Sequence, residues 1–336
     1  MIDLSSLKQF DSKGMYQVYD KWNQISRESY NADYEIADFS DIDNIVFAGM
    51  GGSGAIGDFL SSILSNDDIH VSVTKGYHLP KTVDSKTLVI TTSISGDTDE
   101  TLSVLDSAKK TDCKIIAFSS GGKMESFCSK NSIEHRKIPA IHSPRASFVV
   151  YLYSILKILG PITPVSKHDI EESFTKMDDT KNKISSSNLT ESNPALSLAR
   201  WIDGIPLIYY PWGLQPAAIR FKNMLQENSK THAIAEDVVE ACHNGIVSWE
   251  KHSNVVPILL RGKDDYIKTK ERWDILKEYF EEAEIPYREI FSVDGSIFSK
   301  LINLIYLLDY STIYYSIRQK VNPSTVDSIK FVKERL

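Results

Sequence analysis

Two short segments of this chain carry the residue types that hold an anion: FAGMGGSGAIGD over 47–58 and TTSISGDTDETL over 91–102. Residues 44–48 form a short β-branched and aromatic run that reads as a buried strand. Gly49, Gly51, Gly52 and Gly54 then let the backbone turn tightly into a helix. A helix starting there aims the unpaired N–H groups of Gly51, Gly52 and Ser53 at whatever lies above the strand end. Residues 88–92 repeat the logic. That strand ends in Ser93 and Ser95, turns at Gly96, and enters a helix whose first turn is acidic. The hydroxyls of Ser93, Ser95 and Thr98, with the helix N-terminus, can hold a phosphate without lysine, because aligned peptide dipoles and free amides supply the positive potential.

Two other readings compete. Gly49, Gly51 and Gly54 match the GxGxxG turn of a dinucleotide site, which expects an acidic residue about 20 positions on, ending a second strand. The chain offers Asp67 and Asp68 and then VSVTKG, with no acid at that strand's end, so this reading is weak. The SISGDT loop also has a purely local explanation, since Ser, Thr and Asp favour helix starts for capping alone. Three hydroxyls at one strand end, opposite a glycine turn, favour a ligand.

The elements that must position these turns alternate. Strands are expected over 44–48, 70–74, 88–92, 114–119 and 134–138, with helices between, which predicts a parallel doubly wound sheet. An amphipathic helix is predicted over 11–31 from the spacing of Met15, Val18, Tyr19, Trp22 and Ile25. Residues 146–159 read as a helix closing the first unit, and a polar, serine-rich segment with one helix follows. The pattern then restarts with strands over 205–210, 255–261 and 287–292 and a long apolar helix over 297–317. Two α/β halves imply duplication. The expected organisation is an N-terminal domain over 1–160, a linker over 161–195 and a C-terminal domain over 196–336. The turn PWGLQPA of the second half lacks the hydroxyl cluster, so only the first half is expected to hold phosphate.

At 336 residues the chain can bury two cores. A net charge of −7 argues against non-specific nucleic-acid binding, so a phosphorylated substrate must be drawn by local groups. The segment MIDLSSLKQFDSKG has no basic start followed by an apolar core, so no secretory signal is expected. The apolar run 148–159 is too short to span a membrane. A cytoplasmic location without membrane association is expected. Cys113, Cys128 and Cys242 form neither a metal site nor a disulfide framework, and Cys113 is expected in the core. No HxxxH or HExxH spacing occurs, so no metal or cofactor is expected.

These residues resemble the sugar isomerase (SIS) superfamily, specifically its bifunctional phosphoglucose/phosphomannose isomerases. The resemblance runs through DSKGMYQVYDKWNQI, GMGGSGAIGD, SISGDTDETL, SPRAS at 143–147, RFKNMLQENSKTHA at 220–233, ACHNGIVSWE at 241–250 and NPSTVDSIKFVKERL at the end. Members usually read SYSGNTEET, HNE and NEN where this chain has SISGDTDET, HNG and QEN. The resemblance implies two SIS-type, flavodoxin-like doubly wound parallel-sheet subdomains with flanking helices, and an aldose–ketose isomerase acting on hexose 6-phosphates through a cis-enediolate.

It also implies roles. Glu227 is the base that moves a proton between C2 and C1, a task for a carboxylate with a near-neutral pKa. Arg145 neutralises the enediolate with a charge that persists at every relevant pH. His243 assists ring opening, since imidazole gives or takes a proton in the needed range. Lys333 is expected to help it; Lys330, three residues earlier, shares its face. The apolar stripe Val326, Ile329 and Val332 is expected to place Lys333 beside a buried edge. In related isomerases the histidine comes from the neighbouring subunit, which implies a homodimer with shared active sites. The other class is a non-catalytic sugar-phosphate sensor, which would bring a helix-turn-helix and a basic face. A further alternative is an isomerase for another sugar phosphate.

Overall fold

The structure, a computed structural model, describes residues 2–336. The chain divides into two compact units. One is the contiguous segment Lys21–His168; the other joins the residues up to Asp20 with Asp169–Leu336.

The discontinuous unit begins with α1 (Leu4–Phe10) and α2 (Met15–Tyr19). The predicted single helix over 11–31 is two: α2 ends at Asp20, and α3 (Trp22–Asn31) starts the other unit. The apolar period reads through the junction because both helices bury one face, but they bury it in different cores. Tyr19 donates to Asp309 at 3.0 Å within its own unit, and Trp22 Nε1 donates to the Ala146 carbonyl at 3.1 Å within the other.

The contiguous unit continues β1 (Asn44–Ala48), α4 (Gly51–Leu64), β2 (His70–Thr74), β3 (Thr87–Ser93), α5 (Asp99–Ala108), β4 (Lys114–Ser119), α6 (Gly122–Asn131), β5 (Glu134–Lys137) and α7 (Phe148–Ile158). Its five strands are all parallel in the order β2-β1-β3-β4-β5, the flavodoxin-like arrangement. β1 and β3 are buried along their whole length, as central strands covered on both faces must be, which is why they read as unbroken apolar runs. Cys113 is half-buried, not core as expected; Cys128 on α6 is the fully buried thiol, and burial pushes it up to about 11.

The other unit resumes with α8 (Lys167–Ile184), α9 (Pro194–Trp201), β6 (Ile205–Tyr210), α10 (Gln215–Ser229), β7 (Ile234–Asp237), α11 (Val238–Ala241), a 3₁₀ turn (Gly245–Glu250), β8 (Val255–Arg261), α12 (Ile267–Glu282), β9 (Arg288–Phe291), α13 (Ile297–Arg318) and α14 (Asp327–Lys333). Its sheet is also parallel, in the order β7-β6-β8-β9, the first sheet's order less one strand. α13 is its central pillar, buried on nearly every face. Among the described residues no helix is long and apolar enough to cross a membrane.

Candidate active site

In a parallel sheet of order 2-1-3, the connections after the first and third strands leave in opposite directions and open a crevice at the strands' carboxyl ends. Both motifs singled out in the sequence lie there, after β1 and after β3. α4 starts at Gly51 behind Met50, and α5 starts at Asp99 behind Thr98; neither helix receives a side-chain cap. Two helix N-termini therefore face one crevice with first-turn amides available to an anion.

Ser53 is buried, and its Oγ accepts the Ile94 N–H at 3.2 Å, tying one turn to the other. The Ser93 hydroxyl donates to Thr98 Oγ1 at 3.0 Å and accepts the Gly96 N–H at 3.1 Å. Ser95 is exposed, and its Oγ accepts the Asp97 N–H at 3.3 Å. Asp97 turns outward: its Oδ1 accepts the Lys123 N–H at 2.9 Å at the start of α6. Its charge serves a neighbouring helix dipole.

Gly96 is held at φ 78°, and a Cβ there would stand 1.9 Å from the Gly121 carbonyl oxygen. Gly96→Ala is expected to cost about 2–3 kcal/mol and to weaken phosphate binding, read by thermal unfolding and by sugar-phosphate titration. Unchanged values in both would show that the loop does not depend on this contact.

Arg145 joins this cradle in the same unit. A Cβ on Gly52 would come within 3.1 Å of the Pro144 oxygen and 3.4 Å of Arg145 Cα, so the SPRAS backbone lies directly on the first turn of α4. Ser147 closes that loop: its Oγ accepts the Ile141 N–H at 2.8 Å and donates to the Ser143 carbonyl at 3.0 Å. Arg145 is 4% exposed, at a depth where a low dielectric strengthens the pull of a guanidinium on a nearby anion.

The remaining predicted residues lie in the other unit. Glu227 is half-buried in the last turn of α10. Two contacts that sequence reasoning missed hold that helix. Arg220 donates from Nε and Nη2 to Asp309 Oδ2 on α13, at 3.0 and 2.7 Å, with both side chains buried. Asn228 donates to Thr312 at 2.8 Å. The available signal was an acid inside the apolar stretch of α13.

Lys230, in the left-handed conformation that ends α10, donates to the carbonyls of Glu227 (2.8 Å), Asn228 (3.2 Å), Asn322 (2.8 Å) and Thr325 (2.8 Å). It thus caps the helix bearing Glu227 and pins the segment leading to α14. Lys230→Met is expected to cost about 1 kcal/mol and to speed amide exchange over 322–336 roughly fivefold; protection equal to wild type would refute the pinning role.

His243 follows α11 and is exposed. Gly245 faces the Glu236 carboxylate: a Cβ would fall 2.7 Å from Oε1. Glu236 thus occupies the space a side chain at 245 would need, and burial, with Glu240 beside it, pushes its carboxyl up.

Lys333 ends α14, which buries no residue. The expected stripe beside a buried edge is corrected: Ile329 and Val332 are 42% and 55% exposed. Periodicity specifies an apolar face and says nothing of what covers it. Lys330 lies 3.6 Å from Glu334.

Residues 38–156 match the SIS domain family, and residues 191–336 match the family described as "Bacterial phospho-glucose isomerase C-terminal SIS domain". The chain is 35% identical over 308 residues to a bifunctional phosphoglucose/phosphomannose isomerase of Caldicellulosiruptor bescii, covering 88% of this chain and 90% of that one. The chain belongs to the bifunctional phosphoglucose/phosphomannose isomerase family. A member from Aquifex aeolicus is 28% identical, with 96% of each chain covered. A glucose-6-phosphate isomerase like protein from Thermus thermophilus shares the fold at 14% identity and a TM-score of 0.64, with 99% of each chain covered.

Proposed function

We propose that the protein is an aldose–ketose isomerase interconverting fructose 6-phosphate with glucose 6-phosphate and mannose 6-phosphate. The observation that carries this reading is the paired, uncapped helix start at the β1/β3 crevice, with the Arg145 loop seated on Gly52. The phosphate rests on Gly51, Gly52, Ser53, Ser93, Ser95 and Thr98, within the 1–160 region; the 196–336 region brings the acid–base groups.

His243, assisted by Lys333 or Lys330, opens the ring by moving a proton between the C1 hydroxyl and the ring oxygen. Glu227 takes the C2 proton of the open aldose and the electron pair moves to the C1 oxygen as the enediolate; the hydroxyl proton then passes from O2 to O1, and Glu227 returns its proton to C1 as the C2 carbonyl forms. Arg145 stabilises the negative oxygen. The reaction moves protons alone and calls for no cofactor. Accepting both C2 epimers needs only room for the opened chain to rotate. The exposure of His243 and of Ile329, Phe331 and Val332 on α14 supports a homodimer in which His243 enters the neighbouring subunit's site. On this reading the enzyme acts in cytoplasmic hexose phosphate metabolism, at the step shared by glycolysis and gluconeogenesis.

The test is an assay of purified protein on fructose 6-phosphate with a chelator present, scoring both aldose phosphates separately. Formation of both is expected. Glucose 6-phosphate alone would make the enzyme monofunctional, and neither product would favour the sugar-phosphate sensor or another substrate.

A further inference from the structure

The second sheet has a crevice of its own. Its strand order reverses between β6 and β8, and the turns after those strands enclose a pocket of about 200 Å³ within this unit. This is the position at which open parallel sheets receive ligands, but its chemistry is the reverse of the first. The turn after β6 opens with Pro211, which has no N–H to offer, and the turn after β8 presents Asp264 and Asp265. Asp265 is fixed, Oδ1 accepting the Gly262 N–H at 3.0 Å and Oδ2 accepting Trp273 Nε1 at 3.1 Å. An incoming phosphate would meet two carboxylates ahead of α12 in place of hydroxyls.

What the pocket does offer is a donor and an acceptor side by side. Lys300 Nζ lies 2.8 Å from Asp264 Oδ2, so adjacent hydroxyls of one ligand can give a proton to the carboxylate and accept one from the ammonium. Trp212 and Tyr266 line the same pocket and are 80% and 72% exposed, so their ring faces are open to the C–H face of a ligand. The Ser292 hydroxyl, itself 6% exposed, has no hydrogen-bond partner and lies 3.6 Å from where a Cβ on the lining residue Gly262 would stand.

We propose that this pocket binds a neutral, unphosphorylated polyol of monosaccharide size. The aromatic faces take the C–H face of the ring and the Asp264–Lys300 pair takes its vicinal hydroxyls. The pocket is separate from the phosphate cradle, and its ligand undergoes no reaction there.

The test is saturation-transfer NMR of D-glucose on the intact protein, compared with Trp212→Ala, Asp264→Ala and, as a cradle control, Ser53→Ala. The expected result is binding with a dissociation constant on the order of 1 mM. It should weaken roughly tenfold in Trp212→Ala and in Asp264→Ala and stay unchanged in Ser53→Ala. Absence of transfer to wild type, affinity in Trp212→Ala or Asp264→Ala equal to wild type, or transfer lost in Ser53→Ala would each overturn the proposal, the last by placing glucose in the cradle. Binding is read without turnover, so a failed isomerase assay leaves this result standing.

Discussion

Glu227→Gln is expected to lower kcat by about 10²–10⁴ for both epimers, the range general acid–base groups contribute, while KM for fructose 6-phosphate changes little. The amide keeps the shape of the side chain and its place in α10 but takes no proton near neutral pH. In the proposed site the phosphate is held elsewhere, on the cradle of the contiguous unit, so ground-state binding should survive. Steady-state assays in both directions give the first readout. The second is exchange of the C2 hydrogen of glucose 6-phosphate with deuterated water, which should vanish with turnover if one base serves both carbons. A variant that keeps kcat within about tenfold of wild type, or that still washes out the C2 label, would remove Glu227 from the mechanism.

Asp309→Ala is expected to destabilise the protein by about 3–5 kcal/mol, because it leaves the Arg220 guanidinium buried without its counter-charge. Tyr19 loses its acceptor in the same step. Replacing both partners by apolar residues of similar volume, as in Arg220→Met with Asp309→Leu, should recover most of that loss, since two desolvated charges are removed together. Urea denaturation of the two single variants and the double variant decides this. A double variant as unstable as the singles would mean that the pair contributes more than mutual neutralisation. Activity adds a readout that stability does not: α10 loses one of its polar contacts with α13 when the pair is removed, so kcat should remain below wild type even where folding is restored.

The central strands and the cradle were legible because their signals are local. β1 and β3 are continuous apolar runs, and the glycines and hydroxyls that follow them are adjacent in the chain. β7 escaped notice because it is a four-residue edge strand, IAED, with a half-buried, polar character. The break between α2 and α3 was hidden by a period that continues across it. Arg220 and Asp309 stand 89 positions apart, and nothing local connects a helix arginine to an acid in an apolar stretch. The face of α14 was read correctly as apolar and wrongly as covered, since a sequence pattern carries no information about a missing neighbour. Arg145 was found only through resemblance; the tight seat of its loop on Gly52 is a distance that spacing cannot reveal.

The split composition of one unit bears on how the chain is made. Lys21–His168 is contiguous and can fold as soon as it leaves the ribosome, whereas the residues before it belong with partners synthesised last. Tyr19 must await Asp309, 290 positions later, and Tyr310 closes on Asp20 across the same interval at 2.7 Å. At about 5–20 residues per second the N-terminal segment waits roughly 15–60 seconds before its acceptors exist. Until then the apolar side chains of Met15, Tyr16 and Tyr19, all buried in the finished protein, await the surfaces that cover them.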